Sequence, residues 1–148
     1  GRNAVIESNG YDKLHYKEHF LIAQTQKGYV DSFKRPLPFY DGSFNDASAH
    51  TGEGCFSPGG DRFYFTKCSE GDSLIITCSI FVSKFGAQGW GAAELVPGNV
   101  NEPGSSNQMP WVAKVGKKEV LYFSSNRKLQ SRGGYDIWYS IIDPRNGS

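Results

Sequence analysis

Phe63-Tyr64-Phe65-Thr66 and Leu121-Tyr122-Phe123-Ser124 match position for position, 58 residues apart. A second pair follows in the same order. Ser79-Ile80-Phe81-Val82-Ser83 matches Asp136-Ile137-Trp138-Tyr139-Ser140 at an offset of 57. Two matches at nearly one spacing make an internal repeat, and a repeat governs every later reading of the chain. Working outward, Phe33, Pro36 and Phe39 are spaced like Trp90, Ala93 and Val96, again 57 apart. Asn45-Asp46 precedes Asn101-Glu102 by 56, as Gly54-Cys55-Phe56-Ser57 precedes Pro110-Trp111-Val112-Ala113. A weaker first copy begins the chain. Val5-Ile6-Glu7-Ser8-Asn9 overlays Tyr122-Phe123-Ser124-Ser125-Asn126, and Phe20-Leu21-Ile22-Ala23 overlays Ile80-Phe81-Val82-Ser83.

Each unit reads as four short strands, A to D. In the middle unit A falls near Gly54–Ser57, B near Arg62–Lys67, C near Cys78–Lys84 and D near Trp90–Val96. Pro58-Gly59-Gly60 turns the chain between A and B, and the stretch from Gly86 to Gly89 turns it between C and D. Strands joined in order by short turns form an antiparallel meander, and four strands per period of about 40–60 residues is the arithmetic of a β-propeller. The expected fold is all-β, a propeller fragment of about three four-stranded blades. No stretch repeats apolar residues at helical spacing over three turns, and even Leu14 to Gln24 reads better as a buried strand at Phe20–Ala23.

The phase of the repeat divides the chain. Residues 1–40 carry B, C and D, residues 41–98 a complete unit, and residues 99–148 A, B and C. An open blade face would leave apolar surface in water, so the expectation is a piece of a longer polypeptide whose remaining blades complete the ring. Two copies closing one ring is the alternative.

Composition narrows the function classes. Aromatics at 14% and 18 glycines among 148 residues suit strands and turns. A net charge of +1 offers no overall attraction to nucleic acid or anionic lipid. No apolar run approaches the roughly 20 residues of a membrane-crossing helix, so direct membrane insertion is not expected.

The stretch Phe56-Ser57-Pro58-Gly59-Gly60-Asp61-Arg62-Phe63-Tyr64-Phe65-Thr66 resembles the WD40-like, TolB-type propeller repeat. Leu121 to Arg127, followed by Gly133-Gly134-Tyr135-Asp136-Ile137-Trp138-Tyr139-Ser140, is similar to the second half of that repeat. The resemblance covers residues 33–142 well and 1–32 loosely, and is closest to the version in cell-envelope proteins of Bacteroidota. There the propeller often adjoins tetratricopeptide or OmpA-type peptidoglycan-binding domains, in some cases within type IX secretion and gliding machinery. Gly59 replaces the usual aspartate of the A–B turn, and Lys114-Val115-Gly116 replaces the whole turn in the last unit.

Cys68 closes strand B and Cys78 opens strand C, so neighbouring strands bring them within disulfide reach. Related repeats often carry a cysteine pair there. The alternative is two unpaired buried thiols. A disulfide implies an oxidising, periplasmic or outer-membrane-associated setting. Cys55 is the odd cysteine, and zinc is disfavoured because no histidine lies near the pair. His50 and Glu53, with Asp46 close by, could act as acid and base or hold a metal. Hydrogen bonding in a blade-edge loop is the simpler reading. Asp136 resembles a structural acceptor of backbone N–H groups. Ser57 and Ser83 lack a nucleophile elbow, Arg132-Gly133-Gly134 reads as a turn, and Asn146-Gly147-Ser148 is formally a glycosylation sequon. Trp90 and Trp111, which could stack on glycans if exposed, align with core strand positions.

No catalytic residue, cofactor or metal is expected. The expectation is a non-catalytic scaffold that binds other envelope proteins through its loops. The competing expectation is an accessory propeller gating a prolyl-oligopeptidase-type hydrolase.

Overall fold

The structure, a computed structural model, describes residues 44–46, 48–70 and 75–143 in full, and residues 3–10, 17–24 and 37–38 as strand backbone. Phe33, Pro36, Phe39 and Asn146-Gly147-Ser148 lie outside the described residues.

Among the described residues eleven strands form three antiparallel sheets, and there is no helix. The first sheet orders β1 (Asn3–Gly10), β2 (Lys17–Gln24) and β3 (Leu37–Pro38). The second orders β4 (His50–Phe56), β5 (Arg62–Glu70), β6 (Ile76–Gly86) and β7 (Gly89–Trp90), with β8 (Glu94–Leu95) also on β6. The third orders β9 (Asn107–Val115), β10 (Lys118–Ser125) and β11 (Asp136–Ile142). Every sheet follows chain order, β2 runs beside β4, and β9 runs beside β4, β5 and β6. The whole is a strongly curled all-β assembly.

Several strand limits differ from the sequence reading. Strand A of the middle unit begins at His50 rather than Gly54, so His50 and Glu53 belong to it. Strand D is broken into β7 and β8, with Gly91 to Ala93 outside any ladder between them. Cys68 and Cys78 sit two residues inside their strands rather than at the ends.

The repeat reaches into backbone distortion. The β4–β5 ladder slips between Gly52 and Cys55, and the β9–β10 ladder slips opposite Tyr122 and Ser124. In each bulge one residue takes a left-handed backbone, Glu53 at φ 54° and Met109 at φ 57°. They stand at equivalent positions in the two units. Such bulges favour glycine, and a side chain there costs about 1–2 kcal/mol of local strain. Gly54, beside Glu53, has a different reason to be glycine: a Cβ there would run into the Phe63 ring.

Alternation along the strands gives the second sheet two apolar faces. Tyr64 and Val82 are cross-strand partners on one face, with Ile80 and Cys55. They pack with Val112, Leu121, Phe123 and Ile142 of the third sheet in one buried cluster. Phe63 and Phe65 turn the other way and pack with Phe44, Phe81 and Trp90. Phe44 meets Phe63 and Phe65 edge-on, with ring centroids 5.4 and 5.2 Å apart. Each buried aromatic of this kind contributes roughly 1.5–3 kcal/mol through area alone.

Candidate functional site

Cys68 and Cys78 are directly opposed across β5 and β6 and joined by a disulfide, with an S–S distance of 2.06 Å. Closing a loop of this size is worth roughly 3 kcal/mol in chain entropy. The backbone N–H of Cys78 donates to Ser106 Oγ at 2.9 Å, tying the bridged strand to the segment entering β9. Cys55 is a buried free thiol, and desolvation pushes its pKa up to about 11. It is therefore neutral and a poor nucleophile at neutral pH.

The Asp46 and Glu53 carboxylates accept structural hydrogen bonds. Asp46 Oδ1 accepts from the N–H and hydroxyl of Ser48 at 2.8 and 2.7 Å, which forms a turn. Glu53 Oε2 accepts the Met109 N–H at 3.2 Å, so the two bulges are joined across the sheets. His50 lies opposite Cys68 in the β4–β5 ladder. Among the described residues no three His, Cys, Asp or Glu side chains gather to hold a metal ion.

The remaining sequence candidates serve turns and edges. Ser57 Oγ donates to Asp61 Oδ1 at 2.8 Å and accepts the Arg62 N–H at 3.1 Å. That bond to Ser57 is the main reason the Asp61 carboxyl is held below its ordinary pKa. Ser83 Oγ donates to the Gly91 carbonyl, and Asp136 Oδ2 accepts the Arg132 N–H at 2.7 Å. Trp111 is exposed, contrary to its alignment with core positions. Its equivalent, Cys55, is covered by the third sheet, whereas nothing described lies over Trp111.

Among the described residues a dense polar site lies at the joint between the second and third sheets, centred on Arg127, which entered the sequence reading only as part of a motif. Its guanidinium donates to the carbonyls of Asn99 at 2.9 Å and Val100 at 2.7 Å. It also donates to Asn107 Oδ1 at 3.0 Å and, through Nε, to Ser125 Oγ at 3.0 Å. Glu102 stands 3.5 Å away. The ring of Phe123 lies 5.1 Å and that of Trp138 4.9 Å from the guanidinium carbon. Burial lowers the Arg127 pKa, yet an arginine keeps its proton. Asn101 clamps the same joint. Its amide accepts the Ile80 N–H at 2.8 Å and donates to the carbonyls of Ile80 and Val96 at 2.8 and 3.1 Å. At another point of the joint Arg62 reaches Glu119 at 2.6 Å.

Beside Arg127 opens a cleft of about 340 Å³, lined by Gly98, Asn99, Glu102, Leu129 and Trp138 among others. No serine, threonine, cysteine or histidine lines it. The indole Nε1 of Trp138 is buried without a hydrogen-bond partner. Chemically, this arrangement fixes connecting loops; it presents no nucleophile and no paired acid and base.

No family model, curated protein or solved structure matches this chain.

Proposed function

We propose that the three sheets are consecutive blades of a β-propeller and that the module is a non-catalytic interaction scaffold of a bacterial cell-envelope assembly. One observation carries the reading: three sheets each follow chain order as meanders, and equivalent positions of two of them bear the same bulge with a left-handed backbone. In this reading residues 1–40, 41–98 and 99–148 supply B–C–D, A–B–C–D and A–B–C of one propeller domain. Rigid blades would hold the connecting loops as a binding surface for other envelope proteins. The Cys68–Cys78 bridge supports an extracytoplasmic, periplasmic or outer-membrane-associated location. Secretion machinery is one assembly of this kind.

The purified chain should not turn over peptide, ester or glycoside substrates. Turnover that survives repeated purification and disappears in His50→Ala or Glu53→Ala overturns the non-catalytic reading. The blade assignment is tested by an experimental structure of the chain. Sheets that fail to radiate around a common axis would dispose of it.

A further inference from the structure

The face of the second sheet that the third sheet covers is written again on the third sheet. Cys55, Tyr64, Ile80 and Val82 are 7%, 0%, 0% and 2% exposed beneath the third sheet. Their repeat equivalents are Trp111, Tyr122, Ile137 and Tyr139. Cross-strand pairing puts these on one face: Trp111 opposes Tyr122, and Tyr122 opposes Tyr139. There Trp111 is 64%, Ile137 83% and Tyr139 69% exposed. Ile141 and Val115 extend the same apolar face, which holds a shallow groove of about 330 Å³. An exposed apolar sheet face of this size marks an interaction surface.

The occupant is indicated by the internal precedent. The equivalent face is filled by a sheet of the same repeat, presenting its opposite side through Val112, Leu121, Phe123 and Ile142. The interface therefore joins two different faces, head to tail, and can be extended by any further unit of the same kind. β2 runs beside β4, and β9 beside β4 to β6, so the β1–β3 and β9–β11 sheets each adjoin the sheet between them in sequence. The bare face belongs to the β9–β11 sheet.

We infer that the bare face of β9–β11 receives the β1–β3 sheet of a second copy of this chain, head to tail, in the absence of further repeats. This rests on the reading of the sheets as repeated units, and it adds the partner and the surface.

Sedimentation velocity over a concentration series tests it on the intact 148-residue chain. The wild type should form dimers and larger species as concentration rises. Ile137→Glu places a carboxylate at a position already facing water in the monomer, so the fold should survive, as circular dichroism can verify. That variant should weaken self-association by roughly 100-fold or more. Mixed with wild type, Ile137→Glu retains its β1–β3 end and should cap wild-type chains as heterodimers. Face-to-face pairing of two β9–β11 sheets predicts instead that the variant shifts nothing in the mixture. Three results overturn the inference: a monomeric wild type at every concentration, self-association unchanged by Ile137→Glu, or a variant that fails to cap. Each leaves the blade assignment standing, since that depends on an experimental structure of the sheets around a common axis.

Discussion

Replacing Arg127 by alanine should cost about 3–5 kcal/mol, the range for breaking a buried, fully hydrogen-bonded charge site by removing one partner. Arg127 is 7% exposed, and its donors serve the Asn99 and Val100 carbonyls, Asn107 and Ser125. Truncation strands those acceptors in a poorly hydrated joint, at about 1–3 kcal/mol for each that water cannot reach. It also removes a cation held between Phe123 and Trp138. Arg127→Lys keeps the charge but not the planar fork that reaches several acceptors together, so an intermediate loss of about 1–3 kcal/mol is expected. Urea unfolding followed by tryptophan fluorescence reads both, because Trp138 lies against the site. In thermal melts the alanine variant should fall by roughly 6–20 °C. An Arg127→Ala chain within about 0.5 kcal/mol of wild type would behave like a surface substitution and refute the buried joint. A lysine variant as damaged as the alanine one would refute the share of the loss assigned to the charge.

Four shorter predictions concern other elements. Asn101→Asp should destabilise more than Asn101→Ala in urea unfolding, because a carboxylate would face the carbonyls of Ile80 and Val96 without a proton to donate. Gly54→Ala should cost about 1–3 kcal/mol by the same assay, since its methyl meets the Phe63 ring. Met109→Gly should hold or raise stability while Met109→Val lowers it by about 1–2 kcal/mol; a neutral valine would contradict the left-handed backbone there. Mass spectrometry after alkylation without reduction should find no label at Cys68 or Cys78. Labelling of Cys55 in the native chain should stay slow from pH 7 to 9 and accelerate only toward its raised pKa of about 11.

The repeat was legible because its signal is alternation and spacing, which strands impose directly on sequence. Strand limits were less legible. His50–Gly52 carries no apolar alternation, yet it pairs with Thr66–Cys68 because the ladder continues past the bulge. A bulge shifts the face on which later residues lie, and its left-handed residues here are glutamate and methionine rather than the glycine that would announce it. Strand D looked continuous because Trp90, Ala93 and Val96 are apolar, but its pairing with β6 stops after Trp90 and resumes at Glu94 with the register shifted by one residue.

The Arg127 joint was hidden for a different reason. Its acceptors are mostly backbone carbonyls and short polar side chains from residues 99–107 and 125, which carry no charge pattern to pair with an arginine. Sequence can nominate a buried ion pair only when the partner is also charged, and here Glu102 is the peripheral member at 3.5 Å. The apolar face around Ile137 presents the reverse case. Of its residues Trp111 was legible as core from its alignment, and the repeat equivalents of Ile137 and Tyr139, Ile80 and Val82, are core in the structure. Alternation records which side of a strand was selected to be covered; it does not record whether the covering unit lies within the same stretch of chain. Exposure at Trp111, Ile137 and Tyr139 is thus compatible with a core pattern. Substituting Ile80 and Ile137 separately by alanine measures that difference. In dilute monomer the first should cost about 2–5 kcal/mol and the second within about 0.5 kcal/mol of nothing. The Ile137→Ala penalty should then grow with concentration as the face is covered, and equal, concentration-independent penalties would mean that the face is already buried within one chain.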